Sequence, residues 1–371
     1  MARHYLDHAS TSPLLPAARE AMTAWLESGV VGDPGRVHSD GVAVRVAVEE
    51  GRAAVAALLG CRPRSVVFTS GATEAITAAV WGAVERAGGH VVVPAIEHSA
   101  VRRSSEAFAS SVTVVGCDGV GRVAADDVVA AIRPGETALV HLQWGNHEVG
   151  TLQPVAEVVA ACRSLGVLVH VDAAQAAGRV PIDFDALGAD LMSVSAHKMG
   201  GPPGLGALLV RRGLRIRPLF VGSDQERARR AGFEHVLGIV GWGAGAGEIS
   251  LDDRQLQLSQ RVLDGVAGVE GVHQYGDPSA AGRLPHIVCL GIDGIEPQAV
   301  LLGLDQAGIA VHSGSACASE DLQPSPVLEA MGVDAHRSLR VSTGWTTTDA
   351  DVDALAEALP EVVGRLRALA S

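Results

Sequence analysis

Short apolar runs rich in β-branched residues alternate with longer alanine-rich stretches from about residue 14 to residue 250. The runs at 65–69, 90–93, 138–142, 167–171, 191–195 and 207–210 have the length and composition of buried strands. Between or before them, segments such as 42–59 and 154–165 carry apolar residues at helical spacing. Strands that alternate with helices in this way build a mainly parallel sheet covered by helices, so the pattern predicts a large α/β domain over 14–250. After about residue 251 the rhythm changes to a polar helix-like stretch, a strand at 284–290, a helix at 297–308 and a strand at 337–342. That second part predicts a smaller α+β domain formed by 251–371 together with 1–13.

Composition narrows the classes of function. With 371 residues and 47% hydrophobic content, the chain can bury a large core and divide it between domains. A formal net charge of -13 argues against sequence-independent attachment to nucleic acid or to an anionic membrane, both of which need a basic footprint. Arg211, Arg212, Arg215, Arg217, Arg227, Arg229 and Arg230 crowd one stretch, which reads as a solvated charged face with no assigned partner. The first twelve residues lack the basic start and apolar segment of a secretory signal, and no apolar run approaches the length of a membrane span. Cys61, Cys117, Cys162, Cys289 and Cys317 lie far apart, with neither a Cys-x-x-Cys pair nor a disulfide framework. A reducing cytoplasm is the expected setting, and no metal site is expected.

Several segments carry chemistry. Val167-Leu168-Val169-His170-Val171 is a buried run that delivers Asp172 at its carboxyl end, where open α/β sheets bind ligands. A carboxylate there could bind a metal, cap a helix, or hold the protonated ring nitrogen of a pyridine cofactor. Leu191-Met192-Ser193-Val194-Ser195 runs into Ala196-His197-Lys198 and a glycine turn, placing an amine at a second strand end. An acid and an amine at neighbouring strand ends suit pyridoxal 5'-phosphate held on Lys198 as a Schiff base, with Ser195 and His197 as phosphate donors. Val66-Val67-Phe68-Thr69-Ser70-Gly71-Ala72-Thr73-Glu74 reads as strand, small-residue turn and helix start, whose free N–H groups and Thr73 hydroxyl would receive a phosphate. His98 falls just past the next strand, where its ring could stack on a planar cofactor. In the second part, His312-Ser313-Gly314-Ser315-Ala316-Cys317 sets one cysteine in a polar, glycine-containing loop where its thiolate could be exposed.

Taken in order, Tyr5-Leu6-Asp7, Thr69-Ser70-Gly71-Ala72-Thr73-Glu74-Ala75, Glu97-His98, Glu148-Val149-Gly150-Thr151, His170-Val171-Asp172-Ala173-Ala174-Gln175, Ser195-Ala196-His197-Lys198, Gln225-Glu226-Arg227 and Ser313-Gly314-Ser315-Ala316-Cys317 resemble the cysteine desulfurases along nearly the whole chain. The cysteine loop resembles the group that serves nitrogen fixation and iron–sulfur assembly. This resemblance implies a pyridoxal-phosphate fold of type I in the class V aminotransferase superfamily, and a homodimer. It implies that Lys198 holds the cofactor, Asp172 pairs with the pyridine nitrogen, Gln175 bonds the ring hydroxyl and His98 stacks on the ring and shuttles protons. Ala72, Thr73, Ser195 and His197 would hold the phosphate, while Arg340 and Asn146 would meet the substrate. L-Cysteine would become L-alanine, its sulfur passing to Cys317 as a persulfide and then to an acceptor protein.

The chain departs from the family pattern at defined places. His147 stands where an asparagine usually bonds the cofactor ring oxygen, Phe233 where a threonine usually reaches the partner subunit's phosphate, His8 where asparagine is common, and Trp345 where arginine is frequent. Those changes point to a specialised desulfurase, feeding a thio-modification pathway. The rival readings are another class V aminotransferase, a selenocysteine lyase, or a non-catalytic sulfur-relay scaffold.

Overall fold

The computed structural model describes residues 3–85, 88–313 and 324–370, so Cys317 and most of its loop lie outside the described residues. The strands are β1 (His4–Tyr5), β2 (Val66–Thr69), β3 (His90–Pro94), β4 (Ser111–Val115), β5 (Thr137–Gln143), β6 (Leu168–Asp172), β7 (Leu191–Ser195), β8 (Gly206–Val210), β9 (Val272–Tyr275), β10 (Ile287–Ile292), β11 (Ile309–Ala310) and β12 (Ser338–Ser342). Seven of them form the central sheet in the order β2-β8-β7-β6-β5-β3-β4. Strand β8 runs antiparallel to both neighbours, and the remaining pairs are parallel. The sheet is therefore mainly parallel, as the alternation of elements predicts.

Burial explains which strands the pattern reveals. Strands β2, β3, β5, β7 and β8 are buried at every position, which gives continuous apolar runs. Strand β4 lies at the sheet edge, half-exposed and interrupted by Ser111 and Thr113, and it is absent from the expected set. The helix Val236–Ala246 is also absent from it, because it is apolar all round and holds buried Gly238, Gly241, Gly243 and Gly245. Packing overrides the poor helix propensity of glycine there. A Cβ on Gly243 would come within 2.5 Å of the Gly51 Cα, so the close approach to the helix Ser39–Leu58 requires the missing side chain. Trp242 on this helix is completely buried, a contribution of roughly 1.5–3 kcal/mol for a side chain of this size or more.

The second part carries a three-stranded antiparallel sheet, β12-β10-β9, and the long helix Asp349–Ala370. One buried cluster draws on Leu6 and on residues between Leu258 and Val363. The start of the chain is stitched to this part: β1 pairs with β11, Asp7 bridges to Ser342, and the Ala9 N–H donates to the Ser342 hydroxyl at 2.9 Å. A separate, larger cluster joins the sheet to residues of β10 and the helix Pro326–Met331. No described helix is long and apolar enough to cross a membrane.

Candidate functional site

Strands β5 and β6 end level, with Gln143 opposite Asp172, and β7 runs two residues further, with Ser193 opposite Asp172. A cavity of about 420 Å³ opens at this carboxyl edge, within the range of small-molecule sites. Its wall brings together Ala72, Thr73, His98, His147, Asp172, Gln175, Ser195, His197 and Lys198, all singled out from the sequence. Gln143, Gly145 and Gly204 line it as well.

Lys198 projects from the short 3₁₀ turn Ala196–Met199 that follows β7. Its main-chain carbonyl is held by the Ser12 hydroxyl at 3.1 Å and by the Arg179 guanidinium at 3.0 Å. Burial pushes the Lys198 amine down to about 8, helped by Arg340 and opposed by Asp172. A low-pKa amine on a cavity wall is suited to condense with a carbonyl.

Asp172 is fixed through a single oxygen. Its Oδ1 accepts both the Ala174 N–H at 3.0 Å and the Ser193 hydroxyl at 3.1 Å, which leaves Oδ2 for an occupant of the cavity. Gln175 donates from Nε2 to the Ala9 carbonyl at 2.8 Å, and one amide hydrogen remains to donate elsewhere. Glu97, buried behind this row, accepts the Gln143 N–H at 2.6 Å, and burial raises its carboxyl well above the usual range.

His98 caps the helix Ser99–Phe108, its Nδ1 accepting the Ala100 N–H at 3.1 Å. The neutral ring therefore carries its proton on Nε2. His147 meets it edge to face, the ring centroids 5.1 Å apart. Burial pushes both rings down to about 3, so both are neutral at ordinary pH. His197 is pushed down to about 4 by burial and by Lys198, and its Nδ1 lies 3.1 Å from the Thr11 hydroxyl.

An anion cradle faces these groups across the cavity. The helix Ala72–Val84 starts there behind Gly71, which makes no side-chain cap and has φ 156°, a backbone shape that favours glycine. Gly206 packs against it so closely that a Cβ would fall 2.6 Å from the Gly71 carbonyl carbon. Glu74 takes the Ser70 N–H at 2.7 Å and is itself paired with Arg230 at 3.0 Å. The first-turn N–H groups of Ala72 and Thr73 have no intrahelical acceptor, so they point at whatever anion enters. The Thr73 and Ser195 hydroxyls stand beside them on the wall.

Two expected substrate residues lie off this wall. Asn146 is fully buried, its Oδ1 accepting the Glu148 and Val149 N–H groups at 2.8 and 2.9 Å and its amide donating to the Ile96 carbonyl. Arg340 is buried beside the cavity, donating to the His147 carbonyl at 2.8 Å, the Ser10 hydroxyl at 2.8 Å and Asp7 at 3.2 Å. Its Nε keeps no partner. Gln143, Ser193 and Glu97 were given no role from the sequence; strand register brings Gln143 and Ser193 to the site, and the loop after β3 brings Glu97 to the Gln143 N–H. Phe233 and Trp345 are exposed, and Trp345 donates to the Pro13 carbonyl at 2.9 Å.

The donor set fits a flat, anionic pyridine aldehyde phosphate: an amine of lowered pKa, a carboxylate oxygen left open, a neutral imidazole and a helix start without a cap. No described cluster could hold a metal ion. A family model described as Aminotransferase class-V matches residues 4–355. The chain is 41% identical to the IscS-like cysteine desulfurase of Mycobacterium tuberculosis, covering 98% of this chain and 97% of the relative. It is 38% identical to a cysteine desulfurase of Trichormus azollae, covering 98% and 94%. Among solved structures, a NifS-like protein superposes with a TM-score of 0.89 at 30% identity, covering 98% of this chain and 100% of that one. A structure titled as SspA in complex with cysteine gives 0.81 at 27% identity, covering 93% and 100%.

Proposed function

The chain belongs to the class V aminotransferase family, and on that premise we propose that it is a pyridoxal-phosphate-dependent cysteine desulfurase, turning L-cysteine into L-alanine and passing the sulfur on. The observation that carries this reading is the convergence of Lys198, Asp172, His98 and the uncapped start of Ala72–Val84 on one cavity. Lys198 would hold the cofactor aldehyde, Asp172 Oδ2 the ring nitrogen, Gln175 the ring hydroxyl, and Ala72, Thr73, Ser195 and His197 the phosphate. When bound, the cofactor supplies an electron sink for the carbanion left by loss of the substrate α-proton.

The protein's own groups supply the rest. The Lys198 amine, unprotonated above about pH 8, takes the α-proton onto Nζ. His98 holds a transferable proton at Nε2, and its neutrality keeps it from repelling Lys198. Arg340 is the candidate for the substrate carboxylate, with Nε lacking a partner, and Asn146 keeps the turn bearing His147 in place. His147 would meet the cofactor ring oxygen from the cavity wall.

Cys317 is the proposed sulfur acceptor within the chain. Burial raises the other thiols, to about 12 for Cys61 and Cys162 and upward for Cys117 and Cys289, which makes them poor nucleophiles. The Cys317 thiolate attacks the substrate sulfur, a carbon–sulfur bond breaks, a sulfur–sulfur bond forms, and reprotonation of the carbon leaves alanine. All four described cysteines are free thiols, which fits a reducing cytoplasm. A second copy of the chain would cover Val31, Val37, Phe220, Val221 and Phe233, large exposed apolar side chains in the two segments whose Asp33, Pro34, Asp224 and Gln225 line a common cavity.

Mass spectrometry after incubation with cysteine and cofactor tests the assignment. One added sulfur on the peptide holding Cys317, with stoichiometric alanine, is the expected result. Undiminished sulfide release by Cys317→Ala would favour another class V activity.

A further inference from the structure

Lys198 and Asp172 can serve one cofactor only if their separation is fixed, yet they belong to different segments. Asp172 and Gln175 lie at the end of β6 and in the coil that follows it, whereas Lys198 sits in the turn after β7. Register ties β6 to β7 only as far as the pair Asp172 and Ser193, and Lys198 lies beyond that pair.

The missing tie runs through the main chain of the turn. The His197 and Lys198 carbonyls are both taken by groups from outside it. The Ser12 N–H donates to the His197 carbonyl at 2.9 Å, and the Lys198 carbonyl accepts the Ser12 hydroxyl at 3.1 Å and Arg179 Nη2 at 3.0 Å. The same Nη2 donates to the Ser12 oxygen at 3.1 Å, and Nη1 donates to Gln255 Oε1 at 2.8 Å. All three acceptors of Arg179 are neutral oxygens, so its guanidinium works as a three-way fork and not as half of an ion pair. Ser12 has one hydroxyl hydrogen, which goes to Lys198, so it accepts from His8 Nδ1 at 3.0 Å as well as from Arg179.

The chain is shaped to deliver this side chain. After β6 it coils tightly, with the Ala177 N–H donating to the Ala173 carbonyl and the Arg179 N–H to the Ala176 carbonyl, each at 2.9 Å. Gly178 has φ 72°, which favours glycine, and a Cβ there would lie 3.0 Å from the Met199 Cβ. That close approach lays the coil carrying Asp172, Gln175 and Arg179 against the turn carrying Lys198. Gln255, the third anchor, belongs to the helix Arg254–Val266 of the second part.

We propose that Arg179 is a positioning residue for Lys198, pinning the lysine's turn to the coil that carries Asp172 and Gln175 and to the helix of the second part. This rests on the reading of Lys198 and Asp172 as cofactor ligands. Arg179 touches neither substrate nor cofactor; it sets where the amine stands relative to the carboxylate.

Two rates test the proposal: alanine formation by the loaded enzyme, and attachment of added pyridoxal 5'-phosphate to Lys198 of the cofactor-free chain, read by borohydride trapping. In Arg179→Ala both kcat and the attachment rate should fall about tenfold with KM for cysteine unchanged, because a displaced amine costs rate and not substrate grip. Arg179→Lys keeps the charge without the planar fork and should fall between the two. Wild-type rates in Arg179→Ala, or an Arg179→Lys variant no faster than it, would overturn the proposal. Should Arg179→Ala fail to fold, Gln255→Ala decides: attachment slowed about threefold at an unchanged unfolding midpoint supports the pin, and a wild-type rate overturns it. Failure of the wild-type chain itself to attach the cofactor would refute the underlying cofactor reading instead.

Discussion

At the carboxyl edge of the central sheet, Lys198 and Asp172 share a cavity with His98 and His147, two rings kept neutral by burial. At the opposite edge, Arg64 and Arg212 stand in water and the groove between them has no acidic lining among the described residues. Charge is scarce and individually placed in the first region, so each group has one task. In the second it is repeated and screened, so the cations act together or hardly at all. Removing one group should therefore be severe at the first edge and mild at the second.

Lys198→Ala is the strongest test of that contrast. Alanine formation from cysteine should fall about 10⁴-fold, and borohydride should no longer fix the cofactor to the protein. A variant that kept a tenth of its activity would mean that another base does the work. Next comes Glu226→Gln, which leaves the buried Arg52 without its bidentate partner and releases the positive-φ loop. About 3 kcal/mol of stability should be lost, measured by urea denaturation. Asp172→Asn should lower kcat about 10²-fold while cofactor is retained, since the phosphate cradle is untouched.

A smaller effect concerns pH. An amine reacts with acylating reagents only when unprotonated, and withdrawal from water lowers the Lys198 pKa to about 8. In the cofactor-free protein its labelling rate should therefore rise through a midpoint near pH 8, more than two units below that of an ordinary lysine at about 10.4. A midpoint at the ordinary value would show that Lys198 is solvated and not tuned by its pocket.

The two edges were unequally legible in the chain. Asp172 and Lys198 announce themselves because each ends a buried apolar run, and a strand end is where the fold exposes chemistry. Ser193 and Gln143 do not, since they sit inside or at the close of such runs and acquire meaning only when register sets them beside Asp172. The reversed direction of β8 is equally invisible in its composition. That reversal is what returns Arg211 to the edge where Arg62 and Arg64 wait, far away in sequence. A run of arginines at 211–230 reads as a solvated face until topology adds the missing wall.

The mildest prediction follows from that wall. Arg212 is exposed and, by itself, Arg212→Ala should change stability by no more than about 0.5 kcal/mol and leave alanine formation alone. If instead Arg212→Ala lowered activity, the two edges would be coupled through β8 and the separation of their tasks would fail. Thermal denaturation and turnover measured on the same preparation distinguish these outcomes, because a coupled edge would move turnover while the unfolding midpoint stayed in place.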